Sequence, residues 1–280
     1  MLSLIKTQRQ KTRPKEQVKF MPLLNRSIQR NYFYIRGRIS TIRRPQRILV
    51  IHIMKTAGTS LRHMLENEYG AHQVYPGDFY LSKLPNGWYP LGREVLKNYN
   101  KLPPHKVLVG HFTAAMNDML PRSYRTAIFL REPVQRSLSM LAHFSRTNGV
   151  SVPKLLEDPH FMSTHIEDYQ TRILGASGVC DPGEVELINN EVFNQAQERL
   201  KNITFVGITE EFGKSCQVFD RMFKTKISKC IKKDNVFRSN SGEMAEYIPQ
   251  IEPLIKKDRV LYKSAQERFK RDLDICCSAT

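Results

Sequence analysis

The sequence predicts a three-layer α/β fold with a mainly parallel central sheet flanked by helices, and three observations predict it. Short continuous apolar runs rich in β-branched residues recur along the chain, as in strands buried on both faces. Stretches with apolar residues at helical spacing alternate with these runs, as crossovers between parallel strands require. The first run also passes through a loop of small polar residues directly into a helical pattern, a layout that makes a ligand site.

The first strand is expected over residues 47–53, Arg-Ile-Leu-Val-Ile-His-Ile, followed by Lys55-Thr56-Ala57-Gly58-Thr59-Ser60 and then Leu61, Met64 and Leu65 at helical spacing. Residues 70–105 hold Tyr, Pro, Gly and Trp88 without a sustained period and read as a long irregular insertion. A second strand, Val107-Leu108-Val109-Gly110, ends at His111, and a third, residues 126–130, ends at Arg131-Glu132-Pro133, where proline suits a helix's first turn. Val134, Leu138, Leu141 and Ala142 continue that helix on one face. Helical patterns follow at 166–174, 184–200 and 211–223, a strand at 203–208, and a charged amphipathic helix at 257–273.

Composition limits the function classes. With 280 residues, 40% hydrophobic and 25% charged, the chain is neither collagen-like, mucin-like nor wholly disordered. The formal charge of +17 is concentrated at one end, because residues 1–47 hold thirteen Lys/Arg against Glu16 alone, which leaves only +5 elsewhere. The expected organisation is a basic N-terminal extension, residues 1–46, and one domain, residues 47–280. The extension reads as a solvated segment that can make weak contact with a membrane surface or another polyanion; no specific nucleic-acid partner is expected. No window approaches the ~18 apolar residues of a membrane span and the start lacks a secretory apolar region, so a cytoplasmic protein is expected. Five cysteines without a CxxC pair encode neither a zinc knuckle nor a full disulfide framework, and free thiols are expected.

The chemistry lies at two strand ends. Unpaired amides and the positive end of a helix converge where residues 55–60 open the first helix, and Lys55 adds a full charge. The lysine precedes the glycine, so the segment lacks Walker geometry and nucleoside triphosphate hydrolysis is disfavoured. Arg131 stands at the carboxyl end of a central strand with Ser139 eight residues on, a guanidinium and a hydroxyl able to grip one phosphate. A plain turn at the first place, and at the second an arginine paired with Glu132 and a serine on a solvated face, are the structural alternatives.

These residues carry a resemblance. The stretch His52 to Leu61 resembles the 5′-phosphosulfate loop of sulfotransferases, and Phe129 to Ser139 resembles their 3′-phosphate motif, in the same order and at similar separation. Within these the chain resembles the carbohydrate sulfotransferases typified by heparan sulfate 2-O-sulfotransferase, and Gln170-Thr171-Arg172-Ile173-Leu174, Phe205 to Glu210 and Leu261 to Ala265 extend the likeness over about residues 47–273. Met54 departs from the family's usual proline, and the membrane anchor of the family's Golgi members is not expected here. The resemblance implies a P-loop-like fold, 3′-phosphoadenosine 5′-phosphosulfate (PAPS) as donor, a carbohydrate hydroxyl as acceptor, and no metal.

It further implies that the backbone of residues 56–59 with the side chains of Thr59 and Ser60 cradles the 5′-phosphate. Lys55 then neutralises the leaving oxygen, and Arg131, Ser139 and Arg238 hold the 3′-phosphate. His111 matches the family's Gly-His segment that supplies the base. His52 is expected to pack behind the loop, and His63 and His143 to be structural or solvated. Lys229, Lys232 and Lys233 read as a basic loop beside the nucleotide, and Trp88, Tyr89 and Arg93 as candidate acceptor contacts. A non-catalytic polyanion- or nucleotide-binding protein dominated by its basic segment is the alternative, and a small-molecule kinase a weaker one.

Overall fold

The computed structural model describes residues 47–81, 91–180, 185, 187–231 and 244–278. Its centre is a sheet of five parallel strands in the order β2-β3-β1-β4-β5. These are β1 (Ile48–Ile51), β2 (Val74–Tyr75), β3 (Val107–Gly110), β4 (Arg125–Leu130) and β5 (Phe205–Ile208). Every residue of β1, β3 and β5 is buried, which is why these strands read as unbroken apolar runs. Helices flank the sheet, giving the α/β architecture with a parallel central sheet that the alternation predicts.

β1 is the pivot of this topology. After it the chain passes to one side for β2 and β3, then crosses to the other side for β4 and β5, so β1 lies between β3 and β4. Ile51 at its end pairs with Gly110 and Ile128, which brings the carboxyl ends of β1, β3 and β4 together. A crevice at such a reversal of strand order is where open α/β sheets take ligands.

The principal helices are α1 (Gly58–Tyr69), α2 (Pro133–Asn148), α3 (Tyr169–Gly175), α4 (Asn190–Asn202), α5 (Phe212–Phe223) and α6 (Lys256–Ser278). α2 starts as its sequence requires: Pro133 occupies the first turn and the Glu132 carboxylate accepts the Gln135 amide at 2.8 Å. α5 is clamped to the sheet by Phe205, which lies 5.4 Å from Phe129 and 5.1 Å from Phe219 between ring centroids. α6 buries Leu261, Tyr262, Ala265 and Phe269 on one face.

Three sequence expectations need correction. Residues 70–105 are not wholly irregular, because Val74–Tyr75 adds an edge strand and Gly92–Lys97 a short helix. The helix expected from residue 166 begins only at Tyr169, since Asp168 takes a left-handed conformation (φ 40°) with its carboxylate on the Asp258 amide at 2.8 Å. The pattern at 184–200 becomes helical only from Asn190, after Asn189 caps the Val192 amide at 2.8 Å. Among the described residues, Cys216 and Cys230 are free thiols, as expected for them. Among the described residues no helix is long and apolar enough to cross a membrane.

Candidate functional site

The loop after β1 is built to expose amides. Lys55 and Ala57 both take left-handed backbone angles, φ 69° and 67°, which are uncommon for non-glycine residues. Side chains hold three successive carbonyls of this turn. Thr56 Oγ1 donates to Ile53 O at 2.8 Å, Arg136 Nε to Met54 O at 3.4 Å, and Arg131 Nη1 to Lys55 O at 3.2 Å. α1 then starts without a side-chain cap or an acidic residue in its first turn, and its first backbone bond runs from the Leu61 amide to Ala57 O at 3.1 Å. The amides of Gly58, Thr59 and Ser60 precede that ladder, at the positive end of the helix.

Gly58 is demanded by contact as well as by the turn. A β-carbon there would sit 1.9 Å from His52 Cδ2. Gly58→Ala is therefore expected to displace the His52 ring and destabilise the fold by roughly 1–3 kcal/mol, read as a lowered midpoint of thermal unfolding.

The second loop meets the first. Arg131, 5% exposed, follows β4, and its Nε lies 4.0 Å from Glu210 Oε1. Glu210 is itself fixed, since Oε1 accepts the Glu132 amide at 3.0 Å and Oε2 the Tyr262 hydroxyl at 2.7 Å. A cleft of about 780 Å³ is lined by Lys55, Ala57, Gly58, Thr59 and Ser60 together with Arg131, Ser139 and His111. Among the predicted donor residues, Thr56 lies apart: its side chain is buried and braces the turn. Arg238, Lys232, Lys233, Trp88 and Tyr89 lie outside the described residues, while Arg93 and Lys229 are exposed and do not line this cleft.

The electrostatics of the cleft favour an anion. Burial, followed by Arg146, Arg131 and Arg136, holds the Lys55 ammonium below the usual lysine range. A bound anion relieves both causes, because it replaces lost hydration and screens cation from cation.

His111 stands just past β3, half-buried, with Nδ1 2.8 Å from the His52 carbonyl. A carbonyl only accepts, so in the neutral ring Nδ1 carries the proton and Nε2 keeps the lone pair. The His52 ring stacks on it at 4.4 Å. Burial is the main force pushing both rings below the ordinary imidazole range. At His111 the His52 carbonyl opposes it in part, and at His52 the neighbouring His111, Arg62 and Lys55 add to it. Both rings are thereby kept in the proton-accepting form.

Sequence reasoning missed other parts of the wall. His52, expected behind the loop, and His143, expected to be structural or solvated, both line the cleft. His143 follows Ser139 by one helical turn on α2, a spacing that could have revealed it. Arg62, one turn beyond Gly58, is buried and ion-paired with Asp78 at 2.6 Å. The fold also brings ligand atoms of His63, Glu66 and Asp78 within 4.8 Å of one another, yet the Asp78 carboxylate is taken by Arg62 and by His63 at 3.0 Å.

No family model matches the chain, and no curated protein matches it. Among solved structures it is similar to a sulfotransferase from Alicyclobacillus acidocaldarius, at 16% identity over 76% of this chain and 96% of that one, with a TM-score of 0.39.

Proposed function

We propose that the protein is an O-sulfotransferase that moves a sulfuryl group from PAPS to a carbohydrate hydroxyl. The observation that carries this reading is one cleft lined by a lysine-headed amide loop, an arginine and serine from the adjacent strand and helix, and a histidine whose Nδ1 is anchored. In this reading the amides of residues 58–60 with Thr59 and Ser60 hold the 5′-phosphate, and Arg131 with Ser139 the 3′-phosphate. The acceptor oxygen forms its bond to sulfur as the bond from sulfur to the bridging oxygen breaks, and the acceptor's proton passes to His111 Nε2. Lys55 neutralises the charge growing on the bridging oxygen, so catalysis is positioning and electrostatics. Adenosine 3′,5′-bisphosphate is the second product.

The carbohydrate acceptor follows from the resemblance of the motifs and is tested by an acceptor screen with sulfur-labelled donor. The donor is tested by calorimetric titration with adenosine 3′,5′-bisphosphate, AMP and ATP. Tight binding that requires the 3′-phosphate is expected, weakened about 10- to 100-fold in Arg131→Ala, the scale of a charge-assisted phosphate contact. Equal binding of ATP, or no binding, overturns the proposal.

A further inference from the structure

The Arg131 peptide has a singular environment. β4 ends at Leu130, so this peptide lies past the sheet, yet Arg131 is 5% exposed and water cannot readily serve it. One side chain meets both its polar atoms. The Arg131 amide donates to Gln170 Oε1 at 3.0 Å, and Gln170 Nε2 donates to Arg131 O at 2.9 Å. The carboxamide thus acts as a one-residue strand, and its orientation is forced, because an amide can only donate and a carbonyl only accept.

Gln170 is held in turn from α6. Its own amide reaches Asp258 Oδ2 at 3.2 Å, and the Thr171 amide and hydroxyl both reach Oδ1 at 2.7 Å. Asp258 stands in the first turn of α6 and is buried, so it caps α3 from a distant part of the chain. The chain of bonds runs from Asp258 through Gln170 to the Arg131 backbone, and from the Arg131 guanidinium to the Lys55 carbonyl at 3.2 Å.

We propose that Gln170 is a positioning residue: by fixing the Arg131 peptide it aims the guanidinium and so sets discrimination for the nucleotide's 3′-phosphate. This rests on the reading of the cleft as a donor site. Packing alone does not explain the residue, since an apolar side chain of the same length would fill the space but leave two buried polar atoms unserved.

The test is the ratio of affinities for adenosine 3′,5′-bisphosphate and AMP, measured by calorimetry on the full chain. Gln170→Glu keeps the shape and removes the donor to Arg131 O, whereas Gln170→Met removes donor and acceptor. Each is expected to lower the ratio about tenfold, the scale of one or two buried hydrogen bonds. Loosening without a positioning role weakens both ligands alike and leaves the ratio intact. Folded Gln170 variants with the wild-type ratio overturn the proposal. Should neither fold, Thr171→Val, which removes one bond to Asp258, decides: a two- to threefold drop supports it and an unchanged ratio overturns it. A wild type that does not distinguish the two nucleotides overturns the donor-site reading, and the role of Gln170 with it.

Discussion

On the proposed function, Lys55→Met is expected to lower the single-turnover rate of sulfuryl transfer by about 10²- to 10³-fold, the scale of removing a fixed charge at a developing oxyanion. Affinity for adenosine 3′,5′-bisphosphate changes much less, because the amides of residues 58–60 and Arg131 remain. The split follows from where the charge appears. Lys55 is crowded by Arg131, Arg136 and Arg146 and by burial, so its ammonium is worth most when negative charge grows beside it. Its backbone cannot drift away, because Arg131 holds its carbonyl and Thr56 braces the preceding residues. Lys55→Arg restores charge but not geometry, since a planar fork does not replace a point charge in a left-handed turn, and only partial recovery is expected. A Lys55→Met rate within threefold of wild type removes Lys55 from the leaving group.

What the sequence made legible, and what it hid, divides along a physical line. β1, β3, β4 and β5 could be read because burial on both faces leaves an unbroken apolar run, whereas β2 has two residues and no pattern to find. The amide loop could be read because its parts are contiguous: strand end, lysine, small residues, helix. Pairings made by the fold could not. The stack of His52 on His111, the bond of Arg62 to Asp78 and the clamp of Gln170 on Arg131 join segments that carry no shared spacing. Asp168 shows the same limit in the backbone, because its left-handed turn is held by an amide ninety residues away, so local propensity pointed to a continuous helix. Gln170 stood out in the sequence only through resemblance, and its contacts supply the physical reason for it.

The base is the step at which two neighbouring rings must be told apart. His111→Ala is expected to reduce transfer by about 10²- to 10⁴-fold, the usual share of a positioned general base, with nucleotide affinity near wild type. The argument is geometric first: the His52 carbonyl at 2.8 Å places the proton on Nδ1, so Nε2 is the nitrogen able to take one. Burial then sets the pH dependence. Because desolvation lowers the His111 pKa from 6.5, the neutral ring persists below that value, and the rate is level through neutral pH and declines only on the acid side of 6.5. An acid limb above pH 6.5 contradicts this environment. His52→Asn separates the rings, because the backbone carbonyl that orients His111 survives while the stacked ring is lost. Collapse in His111→Ala with a smaller loss in His52→Asn assigns the proton to His111; the opposite order assigns it to His52, which lines the same cleft and is buried more deeply.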